Sequence, residues 1–212
     1  MYLHFTNRFI HSLFPHLTWR VATTEKTIFL TFDDGPVPEV TTWVLSELDK
    51  YDAKATFFCV GDNIGKHSSI FKQIITKGHS VGNHTFNHLS GWKTTNELYL
   101  ANVKKCEHYL ENYSQEWNAN PSKLFRPPYG QISASQSKAL KTDYQIVMWD
   151  VLSGDFDQKL DKNTCLEKAI KYTNNGSIVV FHDSQKAKKN LYYALPRYLA
   201  HFSKQGFRFE KL

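Results

Sequence analysis

Short apolar runs and longer amphipathic stretches take turns along this chain. Residues 27–32 (TIFLTF) and 55–60 (ATFFCV) are unbroken runs of strand length, rich in β-branched and aromatic side chains, and a shorter one covers 79–82. Further strands are predicted near 124–126, 145–149, 177–181 and 207–210. Between them, apolar residues recur at the helical period over about 40–51, 67–77, 94–112, 133–141, 165–173 and 192–203. The stretch 94–112 is the longest, with Leu98, Ala101, Cys106, Tyr109 and Leu110 as its apolar positions. Strand–helix alternation folds into a parallel sheet with right-handed crossovers. The expected class is α/β, a distorted (β/α) barrel of about seven parallel strands, one short of a regular barrel. No Gly-x-Gly-x-x-Gly follows a strand, so nucleotide binding has no support.

Polar clusters stand where the apolar runs stop. They are Thr31-Phe32-Asp33-Asp34-Gly35, Asn83-His84-Thr85-Phe86-Asn87-His88, Arg126-Pro127-Pro128-Tyr129-Gly130, Trp149-Asp150 with Asp155, and Phe181-His182-Asp183. Parallel barrels bring their C-terminal strand ends to one face, so these clusters should meet in one pocket there.

At 212 residues, 41% hydrophobic and 15% aromatic, the chain is expected to form a single domain, 1–212, with the segment 1–24 packed on the barrel. Leu3, Ile10, Leu13, Phe14 and Leu17 lie at helical spacing and predict a helix whose apolar face docks on the domain; a membrane-surface anchor is the other reading. Arg8, His11 and His16 interrupt the run, against a signal-peptide core, and no stretch reaches the roughly 18 apolar residues of a membrane span. The charge of +6 is scattered, with one small group at Lys186, Lys188 and Lys189 read as a solvated face. No nucleic-acid motif accompanies it. Cys59, Cys106 and Cys165 form no Cys-x-x-Cys and read as buried thiols, which leans towards a reducing, cytoplasmic setting.

The clusters offer the parts of a metal-assisted hydrolase. His84 and His88 are four apart and can face one ion, and the Asp33-Asp34 pair can supply a carboxylate. Successive side chains diverge at a strand end, so one Asp would bind the ion and the other take a proton from water. His182, straight after a buried run, is the candidate general acid. Arg126 could hold a catalytic carboxylate, and because Pro127 and Pro128 lack an N–H, the first free amide in that turn is Tyr129's.

In order and content these motifs resemble the polysaccharide deacetylases of carbohydrate esterase family 4, across roughly residues 27–183. The resemblance implies Asp34, His84 and His88 as ligands of a divalent metal, usually zinc, with cobalt or nickel as alternatives. It implies Asp33 as base, Arg126 as its orienter, Tyr129 as oxyanion donor, and His182 as acid supported by Asp155. The implied reaction is attack of a metal-activated water on an acetyl group of an oligo- or polysaccharide, N-acetyl before O-acetyl. Two motifs depart from the family pattern. Leu152-Ser153-Gly154-Asp155-Phe156 stands where Asp-x-x-Asp-Trp is usual, and Val180 where Leu is usual before the histidine. Pro128, Tyr129, Phe156, Val180 and Trp92 are the candidate substrate contacts, while Trp43, Trp117 and Trp149 are assigned to packing. The alternatives are a sugar-binding member without turnover and a hydrolase of a small non-peptide amide.

Overall fold

In the computed structural model, which describes residues 2–119 and 123–212, every strand pairing is parallel. The strands are β1 Thr27–Asp33, β2 Thr56–Cys59, β3 Ser80–Asn83, β4 Lys123–Phe125, β5 Tyr144–Ile146, β6 Val151–Leu152, β7 Ile178–His182 and β8 Arg208–Glu210. Their order is β5-β4-β3-β2-β1-β7-β6, with β8 added to the first half of β1. The two end strands, β5 and β6, are nearly consecutive in the chain. The sheet therefore curls until its ends approach one another, giving the expected distorted barrel.

Alternation along β1 sorts its side chains. Ile28, Leu30 and Phe32 pack outward with the helices, in one cluster with Val44, Leu48 and Leu195. Phe29 points the other way, into a smaller cluster with Phe58, Leu124, Val147 and Ile178. By the same period of two, Thr31 and Asp33 share the inner face with Phe29.

The helices are α1 Arg8–Leu13, α2 Val40–Asp49, α3 Gly61–Lys66, α4 Ser68–Thr76, α5 Asn96–Tyr113, α6 Gln115–Ala119, α7 Ala134–Leu140, α8 Lys162–Tyr172 and α9 Lys188–Lys204. Their starts follow local chemistry. Thr95 Oγ1 accepts from Leu98 N at α5, Ser133 and Gln136 form a reciprocal capping box at α7, and Asp161 accepts from Asn163 N and Thr164 N at α8. On α9, Leu191, Ala194, Leu195, Tyr198, Leu199 and Phe202 are buried at helical spacing.

Three expectations change. The predicted strand 145–149 ends early, as β5 at Ile146, and a second, unpredicted strand β6 follows the bend at Asp150, whose buried carboxylate accepts from Ser177 Oγ and Ile178 N. A short helix that the period did not predict, α3, opens at Gly61 ahead of the expected helix over 67–77. The N-terminal helix is six residues long and buries none of them: Leu3, Phe9, Leu13 and Phe14 are exposed. Leu17 packs against the core and Phe5 stacks on Tyr172, and hydrogen bonds attach the rest of the segment. Phe5 bridges to Val151, Thr18 to Val147 and Arg20 to Ser177, and Arg20 pairs with Asp150 at 2.7 Å. Trp19 is its buried anchor. The cysteines are free and buried, as expected. Among the described residues no helix is long and apolar enough to cross a membrane.

Candidate active site

The register of β1 against β7 pairs Asp33 with His182 at the C-terminal strand ends. Two groups suited to opposite proton transfers thus stand on neighbouring strands, about 4.8 Å apart in backbone spacing.

Behind Asp33 lies Arg126, fully buried. Its Nη1 donates to Asp33 Oδ1 and to Thr31 Oγ1, both at 2.7 Å, while Nη2 donates to Met148 O and Nε to Val147 O. The guanidinium lies 4.1 Å over the Phe58 ring. Oδ1 of Asp33 is thereby fixed, and Asp33 is aimed at the cleft. Asp155, also buried, accepts from His182 N and holds His182 Nδ1, each at 2.8 Å. That leaves Nε2 for the cleft. Burial favours neutral imidazole, but the Asp155 carboxylate outweighs it and raises the His182 pKa to about 9.

Next to this pair, Asp34, His84 and His88 place one ligand atom each within 4.8 Å of one another. His84 Nδ1 lies 2.7 Å from the Arg126 carbonyl, to which it donates, so Nε2 keeps its lone pair. Burial lowers the His84 pKa to about 4, so the ring is neutral and able to ligate. Asp34 Oδ1 is 3.1 Å from His88 Nε2 and 3.9 Å from His84 Nε2, is buried, and has no hydrogen-bond partner. Burial opposes its ionisation, yet His88, His182 and His84 hold its carboxyl well below the usual range. An orphaned, ionised oxygen facing two imidazole nitrogens fits a divalent cation.

Local backbone geometry serves these side chains. Asp34, Thr85, His88 and Tyr129 all have left-handed φ, +86°, +62°, +55° and +60°. Such strain collects where function over-determines the chain. The 84–88 loop is held by two buried asparagines: Asn83 Oδ1 accepts from Thr85 N, and Asn102 Oδ1 from Phe86 N and Asn87 N. The Asp33-Asp34-Gly35 turn rests on Asp183, whose Oδ1 accepts from Gly35 N and Oδ2 from Thr41 Oγ1. A Cβ on Gly35 would lie 1.9 Å from Asp183 Oδ2. Gly35→Ala is accordingly expected to cost about 1–3 kcal/mol of stability by overpacking. A lowered urea midpoint at unchanged slope would show it, whereas wild-type stability would mean the turn relaxes freely.

A cleft of about 450 Å³ opens over the site, lined by Asp33, Asp34, His84, His88, Tyr129, Phe156, Val180 and His182 from the expected set. Arg126 and Asp155 stand behind it. Pro128 is buried under the turn that carries Tyr129, and Trp92 is not in the cleft. Trp92 lies exposed on a neighbouring groove, with its Nε1 donating to Ile132 O. Trp149, assigned to packing, lines the cleft, as do Tyr2, Gln131, Leu152 and Lys186, which sequence reasoning had not placed there.

Paired acid and base groups beside a cation-ready triad, at the mouth of a parallel barrel, define a hydrolase. Residues 20–147 match the family described as polysaccharide deacetylase. A peptidoglycan-N-acetylglucosamine deacetylase of Bacillus cereus is 34% identical over 92% of this chain and 90% of its own length. The peptidoglycan-N-acetylmuramic acid deacetylase PdaC of Bacillus subtilis is 30% identical over 75% of this chain, which spans 32% of that longer protein. A crystal structure of a peptidoglycan N-acetylglucosamine deacetylase, in complex with 4-naphthalen-1-yl-N-oxidanyl-benzamide, superposes with a TM-score of 0.85 at 29% identity, covering 93% of this chain and 91% of that one. The chain belongs to the polysaccharide deacetylases, carbohydrate esterase family 4.

Proposed function

We propose that this chain, as one domain over 1–212, removes N-acetyl groups from a peptidoglycan-type saccharide, with Asp33 as base and His182 as acid. The observation that carries the reading is the Asp33–His182 register beside the Asp34, His84, His88 triad. The peptidoglycan deacetylases among its relatives support the substrate class.

Asp34, His84 and His88 would hold the cation. When bound, it would supply Lewis-acid polarisation of the acyl oxygen and of water. Asp33, with Oδ1 tied to Arg126, takes the proton of the attacking water on its other oxygen. The Tyr129 amide, set by its left-handed turn, donates to the developing oxyanion. His182 Nε2 gives its proton to the departing nitrogen, and Asp155 stabilises the imidazolium before transfer. Amide and water become acetate and amine.

The test is acetate release from peptidoglycan fragments, chitooligosaccharides and acetylated xylan, with zinc supplied and then removed by a chelator. Release from an N-acetylated class that stops with the chelator supports the reading; no release from any overturns it. Asp155→Asn should move the alkaline limb of the kcat/KM profile down by about one unit or more. The sign follows from His182 being held protonated up to about 9 by that carboxylate. A limb at its original pH would remove Asp155 from this role.

A further inference from the structure

On the wall of the cleft next to His182, one cationic side chain makes no ion-pair contact among the described residues. Lys186 lines the cleft, and its Nζ lies 5.7 Å from the centroid of the Phe156 ring. That ring in turn packs edge-on against His182, centroids 4.9 Å apart. Among the described residues no carboxylate oxygen pairs with Lys186, whereas Lys188 close by in sequence is bound to Glu39 at 3.0 Å. The other acids at the site face elsewhere: Asp33 pairs with Arg126, Asp155 with His182, and Asp34 Oδ1 faces the two imidazoles. Asp157, whose charge Lys186 feels, accepts from the Tyr2 hydroxyl and from Lys159 N. Leu152 adds an apolar surface to the same cleft.

From this arrangement we infer that Lys186 is a specificity residue, selecting saccharides that carry a carboxylate beside the amine-bearing carbon. The inference rests on the deacetylase reading above and narrows its substrate. Phe156 sets the distance: the ammonium stands one aromatic ring away from the histidine that protonates the leaving nitrogen, within reach of a substituent on the same sugar or on the next. Lysine suits the task, because a flexible stem carries a point charge to a partner whose exact position varies. Lys186 is exposed, so the effect is modest and falls with ionic strength.

The experiment compares an oligosaccharide of N-acetylglucosamine and N-acetylmuramic acid with the same oligosaccharide after its carboxyl groups are reduced to alcohols. The full chain with zinc is used, and acetate release gives kcat/KM for each. The wild type is expected to prefer the carboxylate form about fivefold, chiefly through KM, and less so as salt is raised. In Lys186→Gln the ratio should fall to about one, in Lys186→Glu it should invert, and Lys186→Arg should retain it. A ratio that is the same in wild type and Lys186→Gln, or a wild type without preference, overturns the inference while leaving deacetylation intact. Absence of acetate from both substrates overturns the deacetylase reading and this inference with it.

Discussion

Asp33→Asn is expected to leave the protein folded and to lower kcat by about two to four orders of magnitude, the usual worth of a positioned base. Asparagine keeps an oxygen for Arg126 Nη1, so the hydrogen bond at 2.7 Å survives in kind. What disappears is the ability to take a proton. Because that ability is used only on the way to the transition state, KM should change little while kcat and kcat/KM fall together. Asp34, His84 and His88 are untouched, so cation binding by calorimetry should match the wild type. Steady-state kinetics decides the matter: a variant within tenfold of wild type would take the base role from Asp33.

The second large effect falls on the fold. Arg126→Met removes a fully buried cation and leaves the Asp33 carboxylate without its partner, which should destabilise the protein by about 3–5 kcal/mol. The loss goes beyond the ion pair, since Thr31 Oγ1 and the carbonyls of Val147 and Met148 lose their donor too. A methionine stem can still cover Phe58, so packing is not the main loss. Adding Asp33→Asn removes the stranded charge, and the double variant should be more stable than the sum of the single effects requires. Urea unfolding of the four proteins measures the coupling; strict additivity would show that the pair contributes nothing beyond its separate members.

Much of this was legible in the chain because the site is built at the ends of its strongest signals. The run 27–32 is unambiguous, its period of two puts Asp33 on the inner face, and the apolar run before His182 does the same on the neighbouring strand. Less was legible where a residue acts through tertiary contacts. Asn102 looks like an ordinary polar position in a long helix, yet it is buried and cradles two amides of the histidine loop. β6 has only two residues, too few for any period, and exists because Val151 and Leu152 pair with Val179 and Val180. Trp92 lies outside the cleft and Trp149, packed on the inner cluster as expected, also reaches its wall, for a similar reason. A 3-10 turn at Gly91–Lys93 carries the first away from the cleft, and the break between β5 and β6 turns the second into it. In the N-terminal segment the spacing of apolar residues was real, but six residues of helix give too small a face to dock. Hydrogen bonds to β5, β6 and the Asp150 turn, with Leu17 and Trp19 beyond the helix, hold the segment.

That mode of attachment bears on how the protein is made. Thr18 is translated roughly 130 residues before Val147, its partner, and Phe5 and Arg20 wait longer still for Val151 and Ser177. At typical elongation rates of about 5–20 residues per second, the segment spends on the order of ten seconds with nothing to pair with. Leu3, Phe9, Leu13 and Phe14 remain open to solvent even after the segment has paired. The barrel's seam is closed by residues made long before the strands they join.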